Sequence, residues 1–79
     1  MTQKKDVIGE VLLLTQSEGR YVMPAVSKLA VTRALADRST NITLVNAHGA
    51  CLVLPLRVVD QVFFTDSTKE SERLWMRQE

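Results

Sequence analysis

The chain has 79 residues, 46% of them hydrophobic, with ten Lys or Arg against nine Asp or Glu and one cysteine, which suits one small domain. A net charge of +1 argues against non-specific binding to nucleic acid or anionic membrane, because such binding needs several phosphates neutralised at once. A single cysteine rules out an intrachain disulfide framework and a cysteine metal cluster, and no apolar run approaches the roughly 20 residues that span a bilayer.

Met1 to Asp6 is polar and reads as a frayed end, as do residues 77–79. Lys4 and Lys5 precede only a short apolar segment that contains Glu10, a poor secretory signal, so a cytoplasmic setting is expected. Val7 to Thr15 reads as a strand, with Gly9 marking an edge, bend or bulge. Val11 to Leu14 lacks polar alternation, which predicts cover on both faces. Gln16 to Gly19 supplies a turn, and Arg20 to Met23 returns as the partner of a hairpin.

Pro24 fits the first turn of a helix, where its missing N–H costs nothing. The residues after it, rich in Ala, Leu, Lys and Arg, predict a helix over Ala25 to Arg38. Val26, Leu29, Ala30 and Ala34 would face one side, with Val31 and Leu35 pointing elsewhere, toward a second subunit. A rival reading continues Ser27 to Thr32 as β structure, with Val26, Ala30 and Thr32 on one face.

Ser39 to Asn41 breaks the helix. Ile42 to Val45 and Ala50 to Leu54 then form a second hairpin around a turn at Asn46 to Gly49, where Asn and Gly tolerate positive φ. Pro55 marks an edge, a bulge or the strand's end. A tight turn over Leu56 to Asp60 leads to a short strand, Gln61 to Phe64. Ser67 and Glu70 have the spacing of a capping box, which predicts a short C-terminal helix carrying Leu74, Trp75 and Met76. The expected fold is therefore α+β: a small antiparallel sheet of about four to five strands (hairpin, central helix, hairpin with a short extension) plus that end-helix.

Catalysis has little support. His48 is the only histidine and sits in a turn, and Cys51 lies in an apolar run where a buried, inert thiol is expected. An interface site pairing His48 with Cys51 or Asp60 is the enzyme alternative, but Asp60 reads first as a carboxylate accepting backbone N–H bonds at a turn. Scattered ligands show no zinc spacing, and the isolated glycines form no phosphate loop, so neither metal nor cofactor is expected. Arg20, Lys28, Arg33 and Arg38, with Tyr21 as a stacking face, are the candidate basic surface for a nucleic-acid-binding or transcription-linked module.

Leu44 to Asn46 and Asp60 to Phe64 resemble pieces of the Sm-like RNA-binding proteins. That resemblance covers Ile42 to Phe64 and implies a bent barrel, ring assembly, and Asn46 and Asp60 as polar loop residues. The chain departs from the pattern at Leu54–Pro55, where a bend glycine belongs, in the hairpin before the helix, and after Phe64. It therefore assigns no family.

The clumps of apolar side chains exceed what a small interior can shelter, and association would remove the excess from water. The expected activity is non-catalytic binding through protein–protein contacts, as a homodimer or larger homo-oligomer with a protein partner. Val31, Leu35, Leu74 and Trp75 are the candidate contact residues, since aromatic anchors contribute disproportionately at interfaces.

Overall fold

Val11 and Leu13 alternate with Leu12 and Leu14, and only the first pair is fully buried. That two-residue period organises the fold. In the computed structural model, which describes residues 7–37, 40–66 and 70–77, the chain runs β1 (Ile8–Thr15), β2 (Arg20–Ser27), α1 (Lys28–Ala36), β3 (Asn41–Val45), β4 (Cys51–Pro55), a 3₁₀ turn (Leu56–Val58), β5 (Val59–Thr65) and β6 (Ser71–Met76). One antiparallel sheet has the order β2-β1-β5-β6, and β3-β4 forms a separate two-stranded ribbon. The fold is α+β, as expected.

The core lies between the inner face of the larger sheet and the ribbon. Val11, Leu13, Met23, Val26, Val59 and Val62 supply the sheet side, Ile42, Leu44 and Leu54 the ribbon side, and Val31 the helix. Burying each such side chain contributes about 1.5–3 kcal/mol.

Three irregularities shape the sheet. Between the Gly9–Val26 and Val11–Met23 pairs, β2 places Pro24 and Ala25 opposite Glu10 alone. A bulge accommodates the proline that cannot donate to a ladder, and Ala25 takes a left-handed conformation (φ 58°). In β5, Asp60 is the extra residue between the Leu14–Gln61 and Thr15–Val59 pairs. In β6, Leu74 is extra between the Val62–Trp75 and Phe63–Arg73 pairs. Gly9 is required by close approach: a Cβ there would stand 2.8 Å from Phe64 Cζ and would also strike the Thr65 carbonyl.

Two expectations change. The helix starts at Lys28, because Pro24 to Ser27 continues the strand and Ser27 serves as the N-cap, its hydroxyl accepting from the Ala30 N–H at 3.3 Å. It buries Val31 and half-buries Ala34 and Leu35, while Leu29 and Ala30 face out; of Leu29, Ala30 and Ala34, expected together on one side, only Ala34 turns inward. The expected C-terminal helix is instead strand β6, because pairing with β5 satisfies its backbone. Of the expected capping box, Ser67 to Lys69 lies outside the described residues.

Candidate functional site

Thr32, Leu35 and Ala36 fall at helical spacing on one side of α1. They face Leu56 of the 3₁₀ turn and Leu74 and Trp75 of β6 across an open apolar groove of about 520 Å³. The bulge explains how adjacent residues share this groove. A regular strand would send Leu74 and Trp75 to opposite faces, and the extra residue breaks that alternation.

Polar contacts hold the walls in place. The Arg77 guanidinium donates to the carbonyls of Leu56 (3.2 Å), Arg57 and Val59 (2.8 Å) and pairs with Asp60 Oδ1 at 3.3 Å. Its backbone N–H donates to the Asp60 carbonyl at 2.8 Å. Arg77 thus ties the 3₁₀ turn to the end of β6. Lys28 Nζ meets Glu72 Oε1 at 2.7 Å and ties the start of α1 to the same strand. That pair is largely solvated, so it positions more than it stabilises.

Three of the four expected contact residues, Leu35, Leu74 and Trp75, line this groove. Val31 does not: it is fully buried in the core, one helical turn from Leu35, and has no surface to offer. Arg77 was missed by sequence reasoning, since a lone arginine near a polar end carries no local signal.

The polar candidates are placed otherwise. Asn46 is nearly buried and satisfied: its Nδ2 donates to the Pro24 carbonyl (3.0 Å), and its Oδ1 accepts from the backbone N–H groups of His48 (3.0 Å) and Ala50 (2.9 Å). It locks the β3–β4 turn and fastens it to the β2 bulge, where Ala47 N–H also donates to the Ala25 carbonyl at 2.9 Å. His48 is exposed on that turn. Cys51 is exposed too, contrary to expectation, because ribbon alternation turns it outward with Val45 and Val53. Asp60 accepts from Arg77, not from backbone N–H groups as expected. No group of three or more His, Cys, Asp or Glu among the described residues is arranged to hold a metal ion.

Lys28 is engaged with Glu72, Arg33 lies on α1, Arg20 begins β2, and Arg38 lies outside the described residues. Tyr21 packs against the core and donates its hydroxyl to Glu18 Oε1 at 2.6 Å. Its pKa is raised above the usual tyrosine value, first by that hydrogen bond, then by slight loss of hydration and by the carboxylate's charge.

A second apolar surface lies on the outer face of the four-stranded sheet. The pairing places Val22, Leu12, Phe63 and Arg73 side by side across its four strands. The row on one side holds Arg20, Leu14, Gln61 and Met76; the other holds Glu10, Thr65 and Ser71, with Pro24 of the bulge beside Glu10. Leu12, Leu14 and Phe63 neither belong to the core cluster nor pack against it, and Val22 and Met76 are 52% and 46% exposed. Leu12, Leu14 and Phe63 are half-buried, so the expected cover on both faces of Val11 to Leu14 is complete on one face only.

No protein-family model matches the chain, and neither a curated protein nor a solved structure matches it. No helix among the described residues is long and apolar enough to cross a membrane.

Proposed function

We propose that this chain is a non-catalytic cytoplasmic binding module that acts through protein–protein contacts and works as a homo-oligomer. The groove carries this reading: it gathers Leu35, Leu56, Leu74 and Trp75 into an apolar concavity with braced walls. Aromatic and aliphatic anchors around a preformed recess are the usual hot-spot chemistry of protein interfaces, and bracing lowers the entropy lost on binding. The partner would present a bulky apolar side chain to Trp75.

A photo-crosslinking amino acid placed at position 35, and separately at Arg33 as an exposed control on the same helix, tests the proposal. Discrete protein adducts at 35 that are absent at 33 are expected. Equal labelling at both positions, or none at 35, contradicts it.

A further inference from the structure

We infer that two copies of this chain associate through the outer face of the four-stranded sheet, with Glu10 of each copy opposite Arg73 of the other. The inference rests on the homo-oligomer reading and specifies its surface, leaving the groove free for a different protein.

The face has the size a dimer needs. Four strands about 4.8 Å apart and three residue rows about 6.8 Å apart span roughly 20 by 20 Å. Allowing for side-chain relief, its burial would remove roughly 600 Å² from each copy, at the lower end of stable interfaces. Its centre is apolar (Leu12 and Phe63 are direct cross-strand partners), and its charges sit toward the edges.

Charge complementarity selects the second copy as the occupant. Glu10 and Arg73 are both exposed, and neither side chain has a hydrogen-bond or ion-pair partner among the described residues. Within one chain they stand two strands and one row apart, about 12 Å on the strand spacing. Consider a two-fold axis lying in the interface, passing between Leu12 and Phe63 and inclined about 35° to the strands. It lays Leu12 of one copy near Phe63 of the other, brings Met76 toward Pro24, and sets each Glu10 against the opposite Arg73. The strands of the two sheets then cross at about 70°, toward the orthogonal class of sheet packing. One symmetry operation thus matches the apolar centre and makes two ion pairs; it also sets Arg20 of each copy beside its counterpart at one corner of the face, where these exposed side chains can turn out to solvent.

The test is a pair of charge reversals, Glu10→Arg and Arg73→Glu, made in separate chains. Alone, each variant sets like charges against each other twice across the axis, and its dimer dissociation constant should rise about tenfold or more by sedimentation equilibrium. Mixed one to one, the variants regain both opposite-charge pairs in a heterodimer, and dimer mass should return. Val22→Glu, at an exposed position that alters neither charge, is an independent arm and should also weaken the dimer.

If the unaltered chain dimerises but the single variants do so equally well, or their mixture stays monomeric, this face is not the interface, while the homo-oligomer reading stands. Unchanged mass in Val22→Glu counts the same way. If the unaltered chain is monomeric at every concentration, both fail.

Discussion

The knot around Asn46 and the groove beneath Trp75 differ in completeness. At the knot, one buried amide meets two N–H groups and a carbonyl within the chain. At the groove, apolar side chains from α1, the 3₁₀ turn and β6 converge on space that no described residue fills. The polar chemistry is finished internally and the apolar chemistry is not. Substitutions at the knot should therefore act on stability, and those at the groove on association.

Asn46→Ala should have the largest effect on folding. It leaves two N–H donors and the Pro24 carbonyl without their partner in a part-buried site, a loss of about 2–4 kcal/mol by urea unfolding. A cost below about 0.5 kcal/mol would dissolve the contrast. Gly9→Ala comes next, at about 2 kcal/mol, because its Cβ must displace the Phe64 ring and the backbone at Thr65. Leu35→Ser sharpens the comparison from the other side. A half-buried groove residue should cost about 1 kcal/mol of stability or less while abolishing partner capture, and a loss matching that of Asn46→Ala would make the groove part of the core.

The smallest effect is spectroscopic. The raised Tyr21 pKa means the folded chain favours the neutral phenol, so this stabilisation is whole below the ordinary tyrosine value and lost as pH rises through the folded one. Glu18→Gln should move the Tyr21 absorbance titration down toward ordinary tyrosine. An unmoved curve would remove Glu18 as the cause.

Much of this fold was readable where local chemistry and tertiary context agree. The first hairpin, the Asn46–Gly49 turn with Gly49 at φ 85°, and the end of β4 at Pro55 follow from turn residues and apolar runs. Failures fall mainly where pairing overrides local preference. Pro24 suits a helix start, but the β2 bulge accepts it at a sheet edge, which delays the helix to Lys28. Ser71 to Met76 is composed of fair helix formers, yet β5 offers it a ladder, and its bulge hides the strand period. Leu35, Leu74 and Trp75 were legible as candidate contact residues by bulk and hydropathy alone. Their meeting in one groove was not, because it depends on that bulge and on Arg77.

Sedimentation velocity of the unaltered chain over a wide concentration range asks directly whether its uncovered apolar surfaces drive self-association. Self-association through the sheet face requires a reversible shift from 8.9 kDa toward twice that mass as concentration rises. A constant 8.9 kDa species at every concentration would contradict it.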